Sequence, residues 1–250
     1  MPDYHDRTND IVDLCLLAGK IMLESGGETY RVEDTMMRIA ASFGIPRSHS
    51  YVTPTGIIFS IDRMNSTQFI RIVERSTDLH KVALVNNISR RISNGELSLD
   101  EAYQQLKEVE KQKLFYSFWQ QVAAAAVASG CFAVMFGGWN NFFPSLLAGG
   151  AGFYCFEMIH RLVKIRFFAE FFASFIVGGL AMIFVMIGLG ANLDKIIIGS
   201  VMPLVPGLVI TNAVRDLMAG HFLAGLSKGA EAFLTAFAIG TGIALILSIG

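Results

Sequence analysis

The chain has 250 residues, 53% of them hydrophobic and only 16% charged, with a mean hydropathy of +0.49. A soluble globular domain carries roughly 25% charged residues, so this composition excludes a purely soluble chain. The formal net charge of −1 gives no electrostatic support for a nucleic-acid partner.

The charge is unevenly spread. Residues 1–113 hold 16 acidic and 14 basic residues, whereas residues 114–250 hold 5 and 6. This contrast predicts two domains: a soluble α+β head over 1–113 and a helical transmembrane domain over 114–250. The opening MPDYHDRTND has no apolar core. It does not read as a cleaved signal peptide, and the head is expected in the cytoplasm. Cys15, Cys131 and Cys155 are too scattered for a disulfide framework or a metal site.

In the head, apolar residues at Ile11, Leu14, Cys15, Ala18, Ile21 and Met22 predict a helix over 10–24, stopped by Gly26 and Gly27. A second helix is expected over 28–43. Strands follow at 49–53, 56–61 and 68–73, with turns at 54–56 and 62–66. Helical patterns return at 78–92 and 98–111, the last opening on a Ser98…Glu101 capping box. No metal-ligand spacing, nucleotide loop or catalytic set is present, so neither a cofactor nor an enzymatic activity is expected.

Five apolar stretches follow, over 114–137, 142–159, 167–189, 196–219 and 229–249. About 20 residues cross a bilayer core. The second stretch is short and interrupted by Gly149, Gly150 and Gly152. Arg161, Lys164 and Arg166 mark one loop as cytoplasmic, and Arg215 and Lys228 flank another. The N-terminus is therefore expected inside and the C-terminus outside. An odd number of spans suggests half of a transporter, completed by another chain or a second copy. Ala232, Ala236, Gly240 and Ala244 form a small-residue stripe on the last span, suited equally to packing within the chain and to a subunit interface.

The fourth stretch carries most information. Pro203, Pro206 and Gly207 near its centre break a regular helix. Residues 208–219 then make about 18 Å of helix, too short to cross alone. A half-helix starting at Gly207 would aim its N–H groups at a substrate carboxylate. Thr211 and Asn212 would offer hydrogen bonds, with Arg215 or Asp216 at the cytoplasmic entrance. A plain proline kink is the blander alternative. Intramembrane carboxylates are costly, which makes Glu170 a candidate proton carrier, although Arg166 four residues earlier also fits a boundary ion pair. Glu157 reads as a partner of Arg161. In the head, SGGETYRVE at 25–33 reads first as a dipole-stabilised helix start, and second as a ligand site.

Two stretches carry a family resemblance: LESGGETYRVEDTM at 23–36 and PLVPGLVITNAVRDLMAGHFLAGLSKG at 203–229. The chain resembles the threonine/serine exporter family, and specifically the larger, head-bearing component of its split two-chain form. The resemblance implies proton-motive-force-driven secondary export, in a bacterial inner membrane, of threonine and serine or of dicarboxylates such as succinate. It also implies a smaller membrane partner with about four spans. Glu28, Arg31 and Glu33 match the head motif; Pro203, Pro206, Gly207, Asn212 and Asp216 match the membrane motif. The competing reading is a membrane-tethered ligand-sensing module. The broken fourth span argues against it, because an anchor needs no central prolines.

Overall fold

The structure, a computed structural model, describes residues 4–61, 67–112 and 116–249, with side chains from residue 7 onward. The turn expected at 62–66 and the junction at Lys113 lie outside the described residues. The chain divides into two compact units: residues 1–114 with 208–229, and residues 115–207 with 230–250.

In the first unit, α1 (Tyr4–Glu24) is followed by α2 (Thr29–Ser42), the strands β1 (Ser48–Thr53), β2 (Gly56–Ile61) and β3 (Thr67–Arg71), then α3 (Leu79–Ser93) and α4 (Leu99–Lys111). The strands form an antiparallel meander in the order β1-β2-β3, with Val52 opposite Ile57 and Ile58 opposite Phe69. Ile57, Phe59 and Ile61 of β2 alternate inward. They meet the buried residues Leu14, Cys15, Ala18 and Met22 of α1 and Val32, Met36 and Ile39 of α2. Burial pushes the Cys15 thiol up to about 12, so it packs as an inert apolar group. The Ser98–Glu101 capping box closes in both directions.

The glycine pair stops α1 as expected. Gly26 takes φ +86°, a conformation open to glycine, and the Gly27 N–H donates to the Met22 carbonyl at 2.9 Å. A Cβ on Gly27 would sit 2.9 Å from that same oxygen. The fold therefore requires both glycines.

The second unit holds α5 (Phe118–Gly137), a 3-10 turn (Trp139–Asn141), α6 (Phe142–Val163), α7 (Arg166–Met186) and α8 (Leu193–Val201), the last running into a 3-10 turn, Met202–Leu204. α9 (Gly207–Met218) then leads to α10 (Phe222–Ile249), which starts in the first unit and ends in the second. Among the described residues, four helices are long and apolar enough to cross a membrane, or five if the pair Leu193–Leu204 and Gly207–Met218 counts as one broken span.

Two sequence expectations need correction. The glycines of the second stretch do not interrupt it: α6 runs unbroken for 22 residues. Those glycines instead let neighbours approach, since a Cβ on Gly149 would meet Ser129 Oγ at 2.0 Å and one on Gly152 would meet Val177 at 2.4 Å. Gly149→Val is therefore expected to cost about 1–3 kcal/mol by overpacking, read as a lowered melting temperature of the purified chain. Gly240→Val, where a Cβ meets nothing within 4 Å, leaves that temperature unchanged.

The second correction concerns the last span. α10 starts at Phe222, seven residues before the expected 229, so Lys228 lies inside a helix and is not a loop charge. Its inward residues in the second unit are Ala232, Thr235, Ala238, Ile239 and Gly242, whereas Ala236, Gly240 and Ala244 are exposed. The small-residue stripe is thus largely turned away from the chain's own packing.

Candidate functional site

The two resemblance-bearing stretches meet inside the first unit. α9 is amphipathic, and the side it buries is the polar one: Asn212 and Asp216 are buried, while Ile210, Val214 and Met218 are exposed. Several contacts join it, the turn after it and the start of α10 to α2 and the turn before it. Asn212 Nδ2 donates to the Gly26 carbonyl at 2.9 Å. The Arg215 guanidinium donates to Glu28. Asp216 accepts from the Thr29 backbone N–H at 3.0 Å and from the Thr29 hydroxyl at 2.9 Å. His221 Nδ1 lies 3.6 Å from Glu33 Oε1.

Glu28 is the N-cap residue of α2, yet its side chain makes no cap hydrogen bond. The expected dipole role at that helix end is taken by Asp216, which reaches the first N–H from a helix far along the chain. Glu28 is thereby free to bridge two cations, Arg215 and Arg31, the latter at 3.1 Å. Burial pushes the Glu28 carboxyl up, but the two guanidiniums outweigh it and hold the group below the usual carboxylate range. The sign is that of a depressed acid. Its contribution to stability is complete above the ordinary glutamate range and is lost as pH falls through the lower folded value.

Behind Asp216 sits Lys228, whose ammonium donates to Asp216 Oδ2 at 2.7 Å and to Thr29 Oγ1 at 3.1 Å. The side chains of this pair are 7% and 0% exposed. Each charge is acceptable at that depth because the other is present and because Thr29 adds its two donors.

A cleft of about 430 Å³ opens beside this network. Glu28, Arg31, Thr211, Asn212 and Arg215 supply its polar lining, and Val82 and Leu208 are among its apolar lining. The summed charge of Glu28, Arg31 and Arg215 is +1. Such a cleft suits a small anion or zwitterion, with guanidinium N–H groups for a carboxylate and neutral oxygens for other polar groups.

Of the sequence-derived candidates, Thr211, Asn212, Arg215, Glu28 and Arg31 line this cleft. Asp216 lies in the ion pair and Glu33 against His221. Gly207 begins α9, but its N–H donates to the Val205 carbonyl at 2.8 Å. That donor is used in a tight local turn and is not open to a substrate. Pro203 lies in the 3-10 turn, and Pro206 follows Val205, whose backbone is extended at φ −66° and ψ 131°. The regular α-helix therefore stops at Val201 and resumes at Gly207.

Glu170 is in the second unit, on α7. Its carboxylate accepts from Arg166 Nε at 2.7 Å, yet its side chain is only 1% exposed. The pairing is the one spacing suggests, but the carboxylate is buried and not at a surface. Glu157 pairs with Arg161 at 3.6 Å, as expected. Sequence reasoning missed Thr29, His221 and Lys228 as members of the network. All three lie within the two quoted stretches, and a lysine among the apolar residues at the start of α10 was the available signal.

The model of the family described as "Putative threonine/serine exporter" matches residues 13–250. The chain is 25% identical over 240 residues to a "Probable threonine/serine exporter" of Mycobacterium tuberculosis, covering 94% of this chain and 45% of that protein. It is 24% identical over 251 residues to the "Probable succinate transporter subunit YjjP" of Escherichia coli, covering 98% of this chain and 96% of that one. A "Threonine/serine exporter" of Corynebacterium glutamicum is 23% identical over 255 residues, with 51% of its length covered. The chain thus spans about half of the mycobacterial and corynebacterial relatives and nearly all of the Escherichia coli one. No solved structure matches. A family match over residues 13–250, on a chain with four or five candidate spans, makes this a multi-pass membrane protein of the threonine/serine exporter family.

Proposed function

We propose that this chain is one subunit of a proton-driven secondary exporter of small hydrophilic metabolites, either threonine and serine or dicarboxylates such as succinate. The observation that carries the reading is the cleft, where residues of both family-matching stretches converge on one anion-compatible lining. Arg215 and Arg31 hold a substrate carboxylate, Thr211 and Asn212 orient the molecule, and Glu28 keeps the two guanidiniums side by side.

In this reading residues 1–113 lie in the cytoplasm and the spans cross a bacterial inner membrane, with the C-terminus outside. A smaller chain of about four spans, or another copy, completes the pathway. The word "subunit" in the name of the Escherichia coli relative supports such an assembly. The tethered-sensor alternative draws on one observation: every residue lining the cleft belongs to the unit that contains the head.

Efflux from cells preloaded with labelled threonine, serine or succinate separates the two. The chain is expressed alone and with its small partner, with and without a protonophore. Protonophore-sensitive efflux of one substrate, dependent on both chains, is the expected result. Membrane insertion of both chains with no efflux of any of the three overturns the exporter reading in favour of the sensor.

A further inference from the structure

The contacts that tie the head motif to residues 208–229 differ in chemical kind. Asn212 to Gly26 is a neutral amide bond. Arg215 to Glu28 uses a guanidinium, which does not deprotonate in proteins. Asp216 to Thr29 is sealed by the Lys228 ammonium. His221 to Glu33 is of another kind, because it is an ion pair only while the imidazole is protonated. Imidazole is the side chain whose ordinary titration falls between pH 5 and 8.

The surroundings of that contact suit a site that takes up and releases a proton. Glu33 is largely buried, and its Oε1 accepts from the Val52 N–H of β1 at 2.8 Å. Burial, supplemented by the Asp216 carboxylate on α9, pushes the Glu33 carboxyl above the usual range against the pull of the Val52 N–H and His221. Asp216 is in turn paired with Lys228 of α10, and β1 also brings Tyr51 and Val52 to a small cleft that His221 lines. This cleft, of about 270 Å³, opens beside His221, whose side chain is 23% exposed, while that of Glu33, 3.6 Å from Nδ1, is 14% exposed. The His221 backbone N–H donates to the Asp216 carbonyl at 2.8 Å, so the turn that carries the imidazole is fixed to the buried ion pair.

We propose that Glu33 and His221 form the proton-binding site of the export cycle, with one proton exchanged between water, the imidazole and the carboxylate. The inference rests on the exporter reading above and places the coupling proton away from Glu170. With the imidazole protonated and the carboxylate ionised, the contact holds the α9–α10 turn against α2. Loss of the imidazole proton to water removes the ion pair, as does protonation of the carboxylate, and either event leaves the turn held by the contacts of Asn212, Arg215, Asp216 and Lys228.

The test uses membrane vesicles containing the full chain and its small partner, with Glu33→Gln, His221→Gln and Glu170→Gln made separately. Labelled threonine, serine and succinate are the probes. Exchange of internal for external substrate needs no net proton movement, whereas gradient-driven efflux does. Glu33→Gln and His221→Gln are expected to keep exchange within about twofold of wild type. They lower gradient-driven efflux by at least about tenfold and flatten its pH profile, while Glu170→Gln keeps both.

A glutamine retains the oxygen that accepts from Val52, and it avoids the burial of a charge. Glu33→Gln is therefore expected to keep or raise the melting temperature at neutral pH, which separates lost coupling from lost folding. Wild-type coupling and pH profile in both Glu33→Gln and His221→Gln overturn the proposal, as does a loss of coupling confined to Glu170→Gln. If the wild-type vesicles move none of the three substrates, the exporter reading itself fails and this inference with it.

Discussion

Lys228→Met destabilises the first unit by about 3–5 kcal/mol, because it strands the fully buried Asp216 carboxylate without its counter-ion. Thr29 still donates two hydrogen bonds to Asp216, but these were already made in the wild type and replace nothing that is lost. Thermal unfolding of the purified chain shows the effect as a large fall in melting temperature. Adding Asp216→Asn removes the stranded charge while keeping an oxygen for the Thr29 N–H. The double variant is expected to recover most of the stability, and a double variant no better than Lys228→Met alone contradicts the ion-pair account. Asp216→Asn alone leaves the ammonium buried and falls between the two.

Arg215→Glu places a second carboxylate against Glu28 at the cleft and turns its summed charge from +1 to −1. Efflux of the wild-type substrate falls by at least about tenfold, equivalent to ~1.4 kcal/mol or more of lost binding to the transport transition state. Arg31 still pairs with the largely buried Glu28 and the Arg215 side chain is 54% exposed, which limits the stability loss, and the amount of variant in the membrane fraction checks that it inserts. The exchanged pair, Glu28→Arg with Arg215→Glu, restores the cleft charge and the bridge and is expected to recover part of the efflux. Efflux unchanged in the single variant removes this cleft from the substrate path.

The local structure of the head was readable because each element declares itself over a few residues. The alternation Ile57, Phe59, Ile61 marks β2, the two glycines end α1, and Ser98 with Glu101 opens α4. The start of α10 was not readable in the same way. Lys228 looks like a loop charge in a hydropathy profile, and only its pairing with Asp216 across two helices makes a lysine tolerable there. The glycines of α6 misled for a related reason. An isolated glycine weakens a helix, but Gly149 and Gly152 sit where Ser129 and Val177 approach, and that gain is tertiary.

The candidate site was half legible. Thr211, Asn212 and Arg215 were picked out by their position after the helix break, and Glu28 and Arg31 by their motif, but nothing in either stretch says that they line one cleft. Periodicity reports which residues share a face of one element. It carries no information on which two elements, nearly two hundred residues apart, will supply each other's missing partners.

That separation has a consequence for biogenesis. The N–H that opens α2 is satisfied by Asp216, 187 residues further on, and all of α5 to α8 is synthesised in between. When the head emerges from the ribosome, it can form its sheet and its apolar core, but the first turn of α2 must wait with its donors facing water. The head becomes complete only after most of the membrane helices have been made and residues 208–229 have come back to it. A chain truncated at residue 112 is therefore expected to show a native-like core around Phe59 and Leu14 but rapid amide exchange at Thr29, and it should stay a client for chaperones and proteases that the finished protein escapes.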